Sequence, residues 1–288
     1  MRKEIPKERS CGTTSANARL HTAAILANLQ ISTVCDAAMC PNRHECYARR
    51  TATFLLLGTR CTRNCPFCGV KGSDAPLNPP DPTEPRRVAD AVATLDLRHV
   101  VLTCVTRDDR PDGGAAHFVQ TIRAIRTLPN AVSIEVLPSD FAGNADAIET
   151  LAREKPEIYA YNTETVPRRF AAVRDRRATY QRTLRVFEIV HRVSPQIPLK
   201  TGLMVGVGET IPELLEVWSD LLRRGVSRLT VGQYLRPGRG NLPVYRYYSP
   251  GEFAYLERLA KTMGFRYVMA GRLVRSSYHA EEMVKNEE

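Results

Sequence analysis

Between residues 51 and 235 six short apolar runs recur: "TATFLLLG" at 51–58, "HVVLTCV" at 99–105, "AVSIEVL" at 131–137, "EIYAYN" at 157–162, "LKTGLMVG" at 199–206 and "VSRLTVGQYL" at 226–235. Each has the length of a strand and is rich in β-branched residues. Between them lie amphipathic helical patterns such as "PRRVADAVATL", "GGAAHFVQTIRAIRTL", "NADAIETLAREK" and "PELLEVWSDLLRRG". Such βα alternation restricts the chain to a parallel sheet with helices outside it. The strands are nearly continuous in apolar residues, as expected when both faces are covered. Six units in succession therefore predict an α/β fold, a partial (β/α)6 TIM-type barrel, over an open sheet whose order would have to reverse. The stretch "GFRYVMAGRLVRSSYHAEE" adds one more short strand and then a polar tail that covers the barrel mouth. Ahead of the first run, residues 1–50 read as an extension with a helical segment and a cysteine-bearing loop. Residues 51–288 form the barrel, and the two make a single globular unit.

Eight cysteines are present; six lie between Cys35 and Cys68, while Cys11 and Cys104 stand alone. Clustering of this kind suits metal-binding thiols in a reducing compartment better than a disulfide scaffold. The start is polar and no apolar run approaches a membrane span, so a soluble, cytoplasmic protein is expected. The spacing C-x3-C-x2-C at Cys61, Cys65 and Cys68 begins at the carboxyl end of the first predicted strand, the active face of a βα barrel. Three thiolates can hold three irons of a 4Fe–4S cube and leave the fourth iron open. The competing reading is a zinc site completed by a distant histidine or cysteine. A second set, C-x4-C-x5-C at Cys35, Cys40 and Cys46, also lacks a fourth thiol. His44 lies inside it and reads as an exposed loop residue. Cys104 reads as a small core residue, and Cys11 as a free thiol.

"CTRNCPFC" resembles the cluster motif of radical S-adenosylmethionine enzymes. "CDAAMCPNRHEC" ahead of it and "RSSYHA" behind it, with "TRDDRPDGGAAHF", "YNTETVPRRF", "KTGLMVGVGET" and "GQYLRPG", resemble the lipoyl synthase family over nearly the whole chain. Asn241 stands where that family usually has histidine, and Arg272 where it usually has proline. The resemblance implies a radical sulfurtransferase that inserts two sulfur atoms, at C6 and C8 of a protein-bound octanoyl-lysine. It implies two 4Fe–4S clusters and S-adenosylmethionine, with the Cys35, Cys40 and Cys46 cluster as sulfur donor. It also implies a fourth ligand from the tail, Ser277 in preference to Ser276. The partners implied are an octanoylated lipoyl-domain carrier, either the E2 component of a 2-oxoacid dehydrogenase or the glycine cleavage H protein. An electron donor such as ferredoxin or flavodoxin and an iron–sulfur cluster carrier are implied too, acting on a monomer.

Within that expectation, Asn162 and Glu164 of "NTET" are candidates for binding S-adenosylmethionine. Gly113 and Gly114 of "DGG" are further candidates, because glycine lets backbone amides approach a carboxylate at a helix start. Helix capping competes at both places and at "GVGET", residues 206–210. Lys200 and Arg236 rank lower. Leu273, Val274 and Tyr278 are expected to anchor the tail. The net charge of +10 favours acidic partners. Arginines 168, 169, 174, 176, 177, 182 and 185 read either as a solvated face or as a surface that steers an acidic carrier. No nucleic-acid-binding signature is present. Two other readings are a radical synthase of the biotin type and a zinc-stabilised basic binding module.

Overall fold

The computed structural model describes residues 13–284, so Cys11 lies outside the described residues. Seven strands form one sheet: β1 Thr53–Leu56, β2 His99–Cys104, β3 Ser133–Leu137, β4 Ile158–Ala160, β5 Leu199–Val205, β6 Val226–Gln233 and β7 Tyr267–Gly271. All neighbours are parallel, and spatial order equals chain order from β1 to β7. Each connection therefore steps to the next strand in the same direction, and the twisted sheet curls into a barrel. β1 and β7 do not pair, so the barrel stays open along that seam. Six strands come from the recurring apolar runs and the seventh from the stretch before the tail.

The helices α1 Thr13–Asn28, α2 Val34–Ala37 and α3 Arg43–Ala48 precede β1. Then come α4 Glu84–Thr94, α5 Ala115–Arg126, α6 Ala145–Arg153, α7 Phe170–Val173, α8 Tyr180–Val193, α9 Ile211–Leu222 and α10 Pro250–Met263. Local chemistry sets their ends. Asn144 and Thr179 cap α6 and α8 through their side chains, while Thr210 with Glu213 and Ser249 with Glu252 form capping boxes on α9 and α10. β1 and β4 are buried along their whole length, because helices cover one face and the barrel interior the other. β7, the other strand beside the open seam, is only half-buried throughout. Among the described residues no helix is long and apolar enough to cross a membrane.

Lys200 on β5 and Glu135 on β3 meet at 2.8 Å with both side chains fully buried. β4 lies between their strands, so the two side chains converge inside the barrel. Lys200 is thereby committed to a structural pair rather than to a ligand at the strand mouth. Burial pushes the Glu135 carboxyl up, and Lys200 opposes the shift. Lys200→Met leaves a buried carboxyl unpartnered and is expected to lower unfolding stability by about 3–5 kcal/mol in a denaturant titration. Adding Glu135→Leu should recover most of that loss. A single variant within about 0.5 kcal/mol of the parent would show that the pair is dispensable.

Candidate functional site

A cavity of about 810 Å³ opens at the carboxyl ends of the strands and runs down the barrel interior to His99. All six clustered cysteines line it, together with Asn162, Glu164, Arg174, Arg275, Ser276 and Ser277.

Cys61, Cys65 and Cys68 lie on the loop that leaves β1. Each sulfur accepts a backbone N–H: from Arg63 at 3.3 Å, from Asp175 at 3.2 Å and from Val70 at 3.4 Å, respectively. Hydrogen bonds to sulfur of this kind favour negative charge on a thiolate or cluster. The loop is pinned by Arg63, whose guanidinium is forked between Asp108 and Asp140 at 2.6–3.0 Å and is 3% exposed. Burial works against the Arg63 charge, but the two carboxylates outweigh it and hold the guanidinium firmly protonated. Arg177 closes the loop from the other side, donating to Thr62 O at 2.5 Å and to Asp175 at 2.9 Å. Burial pushes the Cys68 thiol up to about 12 and raises Cys65 as well, with neighbouring thiols adding to both.

In the upstream triplet Cys35 lies on the short helix α2, Cys46 on α3 and Cys40 in the turn between them. Thr33 caps α2, and Asp36 accepts from Thr33 and Tyr47 at 2.8 and 2.5 Å, which ties the two helices together. Cys35 is buried, and burial with help from Cys40 and Cys46 pushes its thiol up to about 12; burial with help from Cys40 and Glu45 pushes Cys46 up to about 11. At Cys35, Cys46, Cys65 and Cys68 burial disfavours the thiolate, a cost that a bound cation would compensate. Six thiols in two groups with amide donors aimed at sulfur make the donor set suited to iron–sulfur ligation. His44 points elsewhere, with Nδ1 3.2 Å from Arg19 Nη1, and is not part of the cavity wall. Cys104 packs against the core, as expected, but also forms part of the wall; burial pushes its thiol up to about 12.

The tail crosses the cavity and meets the extension. Asn42 donates to Leu273 O at 2.7 Å, Thr53 Oγ1 to Ser277 Oγ at 2.8 Å, Tyr278 OH to Glu45 at 3.0 Å and Arg49 to Glu281 at 2.7 Å. Val274 is buried and Tyr278 is held, but the Leu273 side chain is 45% exposed, so only its carbonyl anchors the chain. Two strand glycines admit the tail: a Cβ on Gly202 would lie 2.4 Å from Ser276 Oγ, and one on Gly232 2.2 Å from Val274 O. Close backbone approach is a recurring reason for glycine inside a strand.

Asn162 and Glu164 both face the cavity. Asn162 Oδ1 accepts from Ser276 at 2.6 Å. Glu164 sits at φ 69°, a left-handed conformation uncommon outside glycine, held by main-chain bonds to Gly202 and Met204. Burial raises its carboxyl. Arg174 reaches the same corner, donating to Asn162 O at 3.2 Å and Tyr161 OH at 3.3 Å, with Nε buried and unpartnered. Thr163 and Thr165 cap nothing; Thr163 Oγ1 bonds Thr201 Oγ1 at 2.9 Å, and Thr165 Oγ1 has no partner.

Gly113 and Gly114 are not in the cavity wall. The Asp112 carboxylate already takes the amides of Gly114 and Ala116 at 3.0 and 2.9 Å, so the start of α5 is satisfied from within the chain. The glycines are there for φ values of 59° and 94° and for contact with Phe141 and Leu57. "GVGET" is likewise closed on itself: buried Glu209 accepts from Gly206 N, Val207 N and Tyr248 OH. Arg236 lines the mouth and donates to the carbonyls of Asn241 and Arg239. Asn241 donates to Pro66 O and Cys68 O, so this departure from the family pattern touches the cluster loop.

The arginine-rich segment is largely consumed by internal contacts. Arg168 pairs with Glu213, Arg169 donates to Val207 O, Arg174 faces the cavity, Arg177 clamps the loop, Arg182 reaches Asp140 and Arg185 reaches Glu188. Arg176 is exposed, and Arg168, Arg177 and Arg185 keep 54%, 43% and 55% of their side-chain surface exposed beside their acidic partners.

The Radical SAM superfamily profile matches residues 55–221, more than half of the chain. A methylornithine synthase structure superposes with TM-score 0.55 at 12% identity, covering 96% of this chain and 91% of that one, which speaks for the fold alone. The chain belongs to the radical SAM superfamily, whose membership implies an iron–sulfur cluster and S-adenosylmethionine. A protein of Nostoc sp. named lipoyl synthase 2 is 51% identical over 266 residues, covering 90% of this chain and 88% of that one. The lipoyl synthase of Bacillus subtilis is 50% identical over 256 residues, covering 88% and 85%. Within the superfamily, the chain belongs to the lipoyl synthases.

Proposed function

We propose that the chain converts an octanoyl-lysine on a lipoyl-domain carrier into lipoyl-lysine, using two 4Fe–4S clusters. The observation that carries this reading is the meeting of two cysteine triplets and a serine tail in one cavity. Cys61, Cys65 and Cys68 would hold the cluster that binds S-adenosylmethionine; Cys35, Cys40, Cys46 and Ser277 would hold the second. When bound, these groups would supply one 5′-deoxyadenosyl radical for each hydrogen abstracted, at C6 and at C8, each from its own S-adenosylmethionine, and the sulfur that replaces each hydrogen.

The protein binds, orients and shields. Arg174 and Glu164 offer opposite charges in one buried corner, which suits the carboxylate and ammonium of an amino acid moiety. Asn162 offers a fixed amide, itself held by Ser276 and Arg174. Arg63 and Arg177 keep the cysteine loop from spreading. The tail covers the cavity and keeps bulk water from a reactive radical. Residues 1–50 act as the extension that carries the donor cysteines, and residues 51–288 as the barrel, in one unit. The carrier is the E2 component of a 2-oxoacid dehydrogenase or the glycine cleavage H protein. A ferredoxin or flavodoxin supplies electrons, an iron–sulfur carrier rebuilds the consumed cluster, and the enzyme acts as a monomer.

Anaerobic turnover of an octanoyl-lysine peptide with reductant and S-adenosylmethionine, read by mass spectrometry, tests the reading. Dithiolated peptide with 5′-deoxyadenosine is the expected result. Product carrying no sulfur from protein with both clusters loaded would sink it.

A further inference from the structure

Thr51 and Thr53 stand two residues apart at the entry to β1, so their side chains share one face of the extended chain. That face belongs to the wall of the cavity beside the upstream triplet. Thr51 donates to the carbonyl of Cys46 through both its amide and its hydroxyl, at 2.9 and 3.0 Å. Thr53 is 4% exposed and donates its hydroxyl to Ser277 Oγ at 2.8 Å, and its backbone hydrogen-bonds to the Cys35 thiol. One residue thus touches a triplet cysteine and a tail serine together.

The neighbouring serine is sorted the other way. Ser276 Oγ donates to Asn162 Oδ1 at 2.6 Å and lies against Gly202, on the far side of the tail from Thr53. Without a donor, a serine side chain hops among staggered rotamers; with one, its oxygen has a fixed place and direction. Groups that hydrogen-bond a metal ligand orient it, and losing one typically costs about 10–100-fold in metal affinity.

We propose that Thr53 is a positioning residue for the donor cluster: its hydroxyl holds Ser277 Oγ on the Cys35 side of the cavity, and Thr51 fixes Cys46 in parallel. The proposal rests on the reading of Cys35, Cys40, Cys46 and Ser277 as ligands of one cluster. It assigns a second set of residues, absent from the cysteine and serine motifs, to the stability of that cluster's oxygen-ligated corner.

The test uses the full-length chain carrying Cys61→Ala, Cys65→Ala and Cys68→Ala, so that only the upstream triplet can load. After anaerobic reconstitution, iron release to a chelator is timed and the Mössbauer spectrum is recorded, in which an oxygen-ligated iron differs from thiolate-ligated ones. Thr53→Val keeps the side-chain shape and removes the hydroxyl. It is expected to release its first iron about tenfold faster and to lose the distinct iron signal, and Thr53→Ser should restore both. Ser277→Ala serves as the reference and should lose the same signal. If Ser277→Ala loses it while Thr53→Val keeps it with unchanged release, the positioning role is overturned and the ligand reading stands. If Ser277→Ala keeps it, the ligand reading falls and the positioning role with it. Loss in Thr53→Ser as well, with unchanged circular dichroism, would also overturn the role, because the hydroxyl would not be the determinant. Thr53→Ala is read in the same way should the valine variant not fold.

Discussion

Alanine at Cys61, Cys65 or Cys68 is expected to abolish reductive cleavage of S-adenosylmethionine, whereas alanine at Cys35, Cys40 or Cys46 should leave cleavage intact and abolish sulfur insertion. The reason is the separation of the two sets within one cavity. The first triplet sits on a loop with its own clamp, built from Arg63, Asp108, Asp140, Asp175 and Arg177. The second sits on α2, α3 and the turn between them and is braced by Thr33, Asp36 and Tyr47. Loss of one thiol should therefore damage one site and spare the other. For the first set the fall in 5′-deoxyadenosine should be roughly a thousandfold or more, since enzymes accelerate their reactions by at least about 10⁶-fold and the cluster carries this step. Quantifying 5′-deoxyadenosine and lipoyl product in the same reactions checks both halves. Lipoyl product from any upstream variant would refute the division.

The tail should prove as decisive for sulfur insertion as the upstream cysteines. Deleting residues 275–288 removes the partners of Thr53, Glu45, Arg49 and Asn162 in one step. Single-turnover lipoyl formation should vanish while some cofactor cleavage remains. Ser277→Ala should behave in the same direction with both clusters at least partly retained. Ser277→Cys should stall after cleavage, because a thiolate leaves a soft iron less readily than an alkoxide does. Intact single-turnover product from the deletion would exclude a ligand in the tail. His44 would be a poor replacement, since it already lies against Arg19 and away from the cavity.

The barrel was readable because its strands are covered on both faces and so carry dense apolar runs, and because the helices between them are amphipathic. The cysteines were readable as well: their spacing is local, and local spacing survives any fold. Arg174 was harder to read, standing in an arginine-rich segment like a solvated charge; only the turn after α7 swings it into the cavity beside Glu164. Gly113 and Gly114 misled for the opposite reason. Their sequence suits an anion site, but Asp112, just ahead of them, supplies the anion from within the chain. Gly202 and Gly232 gave a signal that was there to be used, since glycine within an apolar strand marks close approach. What approaches is a tail some seventy and forty residues further on, a pairing no window of sequence contains.

The open seam between β1 and β7 has a consequence for the order in which the molecule can be made. The bonds that cover the upstream triplet join residues 231 apart, Asn42 to Leu273, and 224 apart, Thr53 to Ser277. During synthesis the upstream cysteines emerge early, yet the residues that close over them follow only after the whole barrel has been translated. The loop of Cys61, Cys65 and Cys68 draws its clamp from residues up to Arg177 and its last partners from Asn241 and Leu242, so its surroundings are complete about thirty-five residues before Ser277. A nascent chain thus passes through a stage with one finished thiol nest and one still exposed on an unsealed edge. In that interval the exposed trio is accessible to iron delivery and equally to oxidation.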